Sequence, residues 1–214
     1  LLFTALDPPV PFDDWLRPVW ERVGWLPLDE LRPAPDRDAD YEVAAHWALY
    51  CDNYLEGFHV PYVHPDLNRA IDYGTYTTEC FTGGSLQRAL DRTGGPTFTP
   101  PPGHPDAGLP VAAYYFWCFP NVMLNFYPWG LSLNVVQPLN PTRTRVLFRT
   151  YTWPDADAPS GAGGDLNQVE LEDEAVVEQV QRGVRSRLYR RGRFAPTREQ
   201  GVHHFHQMVA GWLG

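Results

Sequence analysis

Three long segments rich in aromatic and β-branched residues follow one another in the second half of the chain. They cover residues 112–125, 131–138 and 143–153. Turn signals such as Pro128-Trp129-Gly130 and Asn140-Pro141 separate them. Strand-like segments joined by short turns are expected to pair as antiparallel neighbours.

Helical periodicity follows the strand segments. It covers residues 166–188 and 197–213, and Thr197 is a suitable N-cap for the second helix. A further helix is predicted over residues 46–60, where aromatic residues recur at three- and four-residue steps. The expected fold class is therefore α+β, with one antiparallel sheet, helices packed on one side of it and a long C-terminal helix.

Charge and cysteine content limit the partners that fit this chain. The 214 residues carry a formal net charge of −9, which argues against binding to nucleic acid or to an anionic membrane surface. No apolar run approaches the roughly 20 residues that a membrane-spanning helix requires. Cys51, Cys80 and Cys118 form no Cys-x-x-Cys pair, and this usage suits a reducing compartment. A cytoplasmic location is predicted.

A change in composition near residue 38 suggests a domain boundary. Residues 1–6 have the pattern of a short strand, and residues 31–38 are rich in Pro, Arg and Asp, which is typical of a linker. The predicted organisation is a remnant of a preceding domain with its linker over residues 1–38, and one catalytic domain over residues 39–214.

The segment from Asn53 to His64 contains most of the recognisable chemistry. It places an amide (Asn53), a carboxylate (Glu56) and two imidazoles (His59 and His64) within twelve residues. Two imidazoles and one carboxylate are a ligand set of non-haem iron, and they leave positions open for oxygen and substrate.

The spacing of the two histidines requires a break in the helix. On a continuous helix, side chains five residues apart diverge by about 140°. Pro61 lies between His59 and His64, and proline ends or kinks a helix because it lacks an N–H donor and clashes with the preceding turn. The two imidazoles are therefore predicted to converge after this break.

A third ligand is expected from the helix near residue 170. Asp173 shares its helix face with Val169, Val176, Val177 and Val180. Glu174 shares a different face with Glu170, Glu178 and Gln181, and this polar face is predicted to be exposed to solvent. A carboxylate on an apolar face has to be paired or metal-bound. Asp173 is therefore the predicted third ligand, with Glu172 as the alternative.

Several segments in order resemble one known family. Residues 53–64, 114–128, 138–145 and 199–206 look like parts of the catalytic domain of Rieske-type non-haem iron oxygenase alpha subunits. They are most similar to the group that includes choline and carnitine monooxygenases. The resemblance extends over about residues 41–213.

This resemblance implies a helix-grip (START-like) fold, iron(II) bound by His59, His64 and Asp173, and a homotrimer. It implies an oxidoreductase that uses O₂ and electrons from a reductase or ferredoxin, relayed through a Rieske cluster. Such an enzyme hydroxylates or oxidatively demethylates a small aromatic or quaternary ammonium substrate. Glu56 matches an acidic residue that bridges to the neighbouring subunit's cluster, and Asn53 matches an asparagine near the iron.

The sequence departs from the family in one important respect. A Rieske cluster needs Cys-x-His and Cys-x-x-His ligands, and neither pattern occurs in this chain. The [2Fe-2S] cluster is therefore expected on a missing Rieske domain or on a partner. Residues 1–8 resemble the strand with which that domain returns to the catalytic half, which suggests truncation.

Aromatic strand residues are the candidates for a substrate pocket. The predicted lining residues are Phe116, Trp117, Leu124, Phe126, Tyr127 and Val135. Such side chains could hold a quaternary ammonium group through cation–π contacts. Two alternatives remain open: a helix-grip domain that binds a ligand without redox activity, and a 2-oxoglutarate-type iron oxygenase built on the string His64-Pro65-Asp66.

Overall fold

A computed structural model of the chain describes residues 3–4 and 6–214. Within them, eight strands form one antiparallel sheet. The strands are β1 (Arg32–Pro33), β2 (Ala39–Val43), β3 (Thr77–Phe81), β4 (Gly84–Leu90), β5 (Val111–Cys118), β6 (Val122–Tyr127), β7 (Gly130–Asn140) and β8 (Arg143–Thr152). Their order is β1-β8-β7-β6-β5-β4-β3, and β2 also pairs with β8.

Helices precede, interrupt and follow the strands. They are α1 (Phe12–Val23), α2 (Trp47–Tyr54), α3 (Val60–Val63), α4 (Pro65–Ala70), α5 (Leu166–Val184) and α6 (Gln200–Leu213). Short 3₁₀ turns lie at Leu28–Glu30, Pro35–Arg37, Tyr73–Thr75 and Gly161–Gly163. In the described part of the chain, no helix combines the length and the apolar character needed to cross a membrane.

Helices cover both faces of the sheet. α1 packs on one face, where Leu16 and Val19 share a core cluster with Phe116 of β5. α2, α5 and α6 pack on the other face, and there the rings of Trp117 and Phe205 lie 5.1 Å apart. Neighbouring strand residues point to opposite faces. Because helices cover both faces, the side chains of the central strands are buried on both sides. The prediction of helices on one side therefore omits α1.

The segment before the predicted domain boundary is part of the same packed body. Leu16, Val19 and Val23 of α1 are buried, and β1 pairs with the end of β8. Residues 12–33 of the predicted remnant and linker therefore pack against the sheet, and the division of the chain at residue 38 stays a prediction. The predicted strand over residues 1–6 includes residues 1, 2 and 5, which lie outside the described residues; residues 3, 4 and 6 are not in a strand.

One buried carboxylate ties the connection between β4 and β5 to the rest of the fold. Asp106 is fully buried and accepts hydrogen bonds from Arg22 at 2.8 Å, from Arg88, and from the Tyr114 hydroxyl at 2.9 Å. Burial acts to raise the pKa of Asp106, but these hydrogen bonds outweigh it and lower the pKa. The ionised carboxylate therefore joins α1, β4 and β5.

Candidate metal centre

A turn between α2 and α3 positions the first two predicted ligands. α2 ends at Tyr54, and His59 immediately precedes the one-turn helix α3. His64 follows α3 directly, so the two imidazoles flank the same short helix. Pro61 lies in the first turn of α3, where a missing N–H has no cost. The prediction that this proline ends the preceding helix was wrong, since the break falls earlier and Pro61 begins the next helix.

Three donor atoms form a nearly equilateral triangle. Nε2 of His59 and Nε2 of His64 are 3.1 Å apart. Oδ1 of Asp173 lies 3.0 Å from Nε2 of His64 and 3.3 Å from Nε2 of His59. Ligands at about 2.1 Å from a first-row metal ion and at right angles to each other are about 3.0 Å apart. The three atoms are therefore spaced as adjacent corners of a coordination shell require.

The composition of this group also fits iron. Two imidazoles and a carboxylate form the facial ligand set of non-haem iron(II), which leaves other positions open. Within the described residues, no other group of three histidine, cysteine or acidic side chains comes together in this way. His64 is 2% exposed, so the centre lies inside the protein.

Each imidazole is held from its other side by a carboxylate. Nδ1 of His59 donates to Oε1 of Glu56 at 2.6 Å, and Nδ1 of His64 donates to Oε2 of Glu172 at 2.7 Å. Metal-bound histidines commonly donate their second N–H in this way, which sets the tautomer and the ring orientation. Glu172 therefore orients a histidine, whereas Asp173 faces both Nε2 atoms.

The acidic neighbours also control the protonation of the site. Burial acts to lower the pKa of His59, but hydrogen bonds with Asp173 and Glu56 raise it to about 9. Burial also acts to lower the pKa of His64, but Asp173 and, to a smaller extent, Glu172 raise it. Burial alone would raise the pKa of Asp173, yet hydrogen bonds from both histidines lower it to about 2. The protons on His59 and His64 balance the negative charge of the Asp173 carboxylate, and a bound divalent cation would take their place.

Asn53 and Glu56, the other two predicted site residues, lie in contact with the triangle. Nδ2 of Asn53 donates to Oδ1 of Asp173 at 2.6 Å, which connects α2 to α5. Glu56 lies in the turn after α2 and also accepts from the backbone N–H of Phe58. Its side chain is 13% exposed, so it reaches from His59 towards the surface.

The face of α5 that was predicted to be exposed packs into the protein instead. Glu170 is 3% exposed and Gln181 is 8% exposed. Glu170 accepts a hydrogen bond from the Tyr50 hydroxyl at 2.6 Å, and Gln181 accepts one from the backbone N–H of His46 at 2.9 Å. Polar side chains can occupy a buried interface when they find partners across it. Helical periodicity does not reveal such partners.

A cavity of about 110 Å³ lies beside the triangle, and all three predicted ligands line it. A single water needs only about 10–15 Å³ in the same measure, so the cavity has room for a small molecule. Its aromatic walls are formed by Tyr50, Tyr54, Tyr76, Tyr115, Tyr127 and Phe148. Its polar lining includes Asn53, Gln87, Asn125, Ser132, Asn134 and Glu170. Aromatic walls with a few placed polar groups are typical of small-molecule sites.

Most of the predicted pocket residues lie elsewhere. Tyr127 lines this cavity, but Leu124 and Phe126 line a separate apolar cavity between α1 and the sheet. Phe116 and Val135 also face the α1 side of the sheet, and Trp117 packs in the core between the sheet and α6. Residues such as Phe126 and Tyr127 lie on opposite faces because the side chains of a strand alternate with a period of two.

Polar residues in the strands mark the face of the sheet that lines this cavity. Asn125, Ser132 and Asn134 are polar residues within otherwise apolar strands, and all three line the cavity. Polar residues in a buried strand need partners or a cavity. Counting by twos from Asn125 reaches Tyr127, which lines the same wall.

With this geometry in view, comparison with known proteins identifies the family. Residues 28–214 match the catalytic domain of ring hydroxylating alpha subunits. The chain belongs to this family of Rieske-type non-haem iron oxidoreductases.

Its relatives include enzymes named for quaternary ammonium substrates. Choline monooxygenase of Arabidopsis thaliana, a chloroplast protein, is 35% identical over 176 residues, which cover 79% of this chain and 40% of the relative. The carnitine monooxygenase oxygenase subunit of Escherichia coli is 26% identical over 178 residues, which cover 78% of this chain and 46% of the relative. The matched region is thus less than half of each relative.

Solved structures share the fold. A quaternary ammonium Rieske monooxygenase has a TM-score of 0.75 at 23% identity, covering 95% of this chain and 57% of that protein. Naphthalene 1,2-dioxygenase from Rhodococcus has a TM-score of 0.59 at 16% identity, covering 98% of this chain and 62% of that protein. The predicted α+β fold of the helix-grip type, with an antiparallel sheet and a long C-terminal helix, is confirmed.

Proposed function

We propose that this chain is the iron-dependent catalytic part of an oxygenase that oxidises a small quaternary ammonium compound. The observation that carries the proposal is the triangle of His59, His64 and Asp173 donor atoms, with edges of 3.0 to 3.3 Å. These residues would hold iron(II). When bound, the iron supplies the activation of O₂ that hydroxylation or oxidative demethylation requires.

The protein's own side chains orient the donor atoms and shield them from water. Glu56 and Glu172 hold the two imidazoles through their Nδ1 atoms. Asn53 holds the carboxylate of Asp173. Because each donor is fixed by a hydrogen bond to a neighbouring side chain, the triangle is organised before a metal or substrate arrives.

A quaternary ammonium substrate suits the cavity beside this triangle. Six aromatic rings line it, and aromatic faces attract cations that cannot donate hydrogen bonds. The relatives named as choline monooxygenase and as a carnitine monooxygenase subunit support this choice of substrate class.

We further propose that electrons arrive through Glu56 from a [2Fe-2S] cluster held on another domain or partner of a homotrimer and reduced by a reductase or ferredoxin. Two observations support this route. Glu56 contacts Nδ1 of His59 at 2.6 Å and is partly exposed. Beside it, Phe58 is 45% exposed and Tyr62 is 81% exposed, and exposed aromatic residues are common where partners bind. A cytoplasmic location remains a prediction.

The 2-oxoglutarate oxygenase alternative finds no support at its acidic residue, Asp66. The side chain of Asp66 is 76% exposed and pairs with Arg69 within α4. It therefore lies away from the buried triangle, and the His64-Pro65-Asp66 string does not form a triad.

The function is tested by comparing two histidine variants of the complete protein, supplied with its reductase. His59→Ala is expected to lose both bound iron and oxidation of choline and carnitine. His203→Ala, which changes an exposed histidine of α6, is expected to retain both. Wild-type protein that binds iron but oxidises neither compound would contradict the substrate class. Retained oxidation in His59→Ala would contradict the metal centre, and wild-type protein without iron would favour a ligand-binding domain.

Glu56→Gln tests the proposed electron route. Glutamine can still accept the hydrogen bond from His59, so iron content should change little, whereas turnover should fall about 10- to 100-fold, as for other groups that support a metal site. Iron analysis and substrate-dependent oxygen consumption measure the two effects separately. Turnover within about twofold of wild type would argue against this role for Glu56.

A further inference from the structure

We propose that Glu170 recognises the positive charge of the substrate in the cavity beside the predicted metal centre. This inference rests on the proposed function and adds a specificity-determining residue to it. Glu170 lines the cavity from α5 and is 3% exposed. Its Oε2 atom accepts a hydrogen bond from the Tyr50 hydroxyl at 2.6 Å. Its Oε1 atom is buried without a hydrogen-bond partner in the described part of the chain.

The unpartnered oxygen points to a ligand. Burying a carboxylate oxygen without a partner costs free energy, and a cationic molecule in the cavity would offset that cost by contacting the oxygen. Aromatic residues surround the same space, including Tyr50, Tyr115 and Tyr127. A carboxylate together with aromatic faces favours a cation that lacks N–H groups, because its attraction to both is electrostatic.

The position of Glu170 also suits the chemistry. It precedes Asp173 by three residues on α5, and side chains at this spacing are neighbours, with Cβ atoms about 5–6 Å apart. A cationic nitrogen held at Glu170 would therefore place its attached carbon atoms next to the predicted metal ligands. Charge recognition would thereby also position the atom to be oxidised.

The same burial gives the inference a consequence that depends on pH. Burial, together with the negative charges of Asp173 and Glu174 on the same helix, raises the pKa of Glu170 to about 8 against the opposing hydrogen bond from the Tyr50 hydroxyl. Tyr41 from β2 is the other titratable group that senses this carboxylate. An adjacent cation favours the ionised form. Cation binding near neutral pH should therefore release a proton, and affinity for a cation should increase as pH rises towards 8.

The experiment compares choline with 3,3-dimethylbutan-1-ol, its uncharged carbon isostere, by titration calorimetry. Wild-type protein, Glu170→Gln and Glu174→Gln are measured. Glu174 is one turn further along α5 and its Oε1 atom is also buried without a partner in the described part of the chain, but it does not line the cavity. Glu170→Gln is expected to reduce the preference for choline about tenfold or more, the effect of one charge a few ångströms away. Glu174→Gln should preserve the preference. Buffers of different ionisation enthalpy should reveal proton release with wild type but not with Glu170→Gln.

Failure of the inference is distinguishable from failure of the proposed function. If wild type prefers choline and Glu170→Gln keeps that preference, another group recognises the charge and the inference is overturned, while the substrate class stands. If wild type binds the isostere as well as choline, or binds neither, the proposed substrate class fails and the inference fails with it. Thermal melting of each variant shows whether any loss of binding reflects unfolding.

Discussion

Asp173→Ala is expected to lower the affinity for iron(II) by more than 100-fold. The substitution removes one of three donor atoms and leaves two Nε2 atoms 3.1 Å apart with no carboxylate facing them. Loss of a carboxylate that only orients a ligand costs about 10- to 100-fold, and loss of a ligand should cost more. Iron per chain after dialysis against a series of free iron concentrations measures the effect.

Glu172→Gln is the matched control, because it alters the adjacent acid and preserves its size. Glu172 contacts Nδ1 of His64 rather than Nε2, and glutamine can still accept that hydrogen bond, so iron binding should weaken much less than in Asp173→Ala and by no more than about 100-fold. If Glu172→Gln loses iron while Asp173→Ala keeps it, the two acids have exchanged roles. If both variants keep stoichiometric iron, the predicted metal centre is wrong.

Asp106→Ala is expected to reduce the free energy of unfolding by about 3–5 kcal/mol, the usual cost of removing one partner from a buried ion pair. Asp106 is fully buried, and the side chains of Arg22 and Arg88 that it pairs with are only 13% and 16% exposed. Removing the carboxylate leaves both guanidinium groups and the Tyr114 hydroxyl without this acceptor. Unfolding in urea, monitored by tryptophan fluorescence, measures the loss.

Asp66→Ala separates this effect from the general loss of an aspartate. Asp66 also pairs with an arginine, Arg69, but their side chains are 76% and 71% exposed. Exposed ion pairs contribute about 0–1 kcal/mol, so this variant should unfold close to wild type. Equal destabilisation by Asp106→Ala and Asp66→Ala would show that burial does not decide the contribution of these pairs.

Sequence reasoning was most successful where one physical rule dominated. Asp173 was selected because a carboxylate on an apolar helix face needs a partner, and the structure brings it within 3.3 Å of both predicted histidine ligands. The three strand segments were predicted from β-branched and aromatic residues between turn signals, and they appear as β5 to β8, because a turn at residues 119–121 divides the first segment into β5 and β6. The role of these residues in binding iron remains a prediction.

The same reasoning failed where two elements had to meet. Both faces of the central strands are buried, so apolar alternation could not tell the α1 side from the cavity side. Phe116 and Leu124 lie on the α1 side, away from the cavity beside the triangle. Glu170 was expected in solvent because it lies on a polar face of its helix. Its hydrogen-bond partner, Tyr50, is 120 residues away in sequence, so the pattern of the helix could not reveal it. α1 was missed as part of the core because prolines flank and interrupt it.

The amino-acid sequence by itself determined the kinds of donor atoms available, the strand and helix periodicities, and the family to which the chain belongs. Only the tertiary structure decided which acid faces the two histidines and which side chains enclose the cavity. The physical reason is that periodicity shows only which residues of one helix or strand share a face. Hydrogen bonds such as those from His64 to Glu172 and to Asp173 join residues more than 100 positions apart. Those distances are set by the packing of α5 against α2 and the α2–α3 turn.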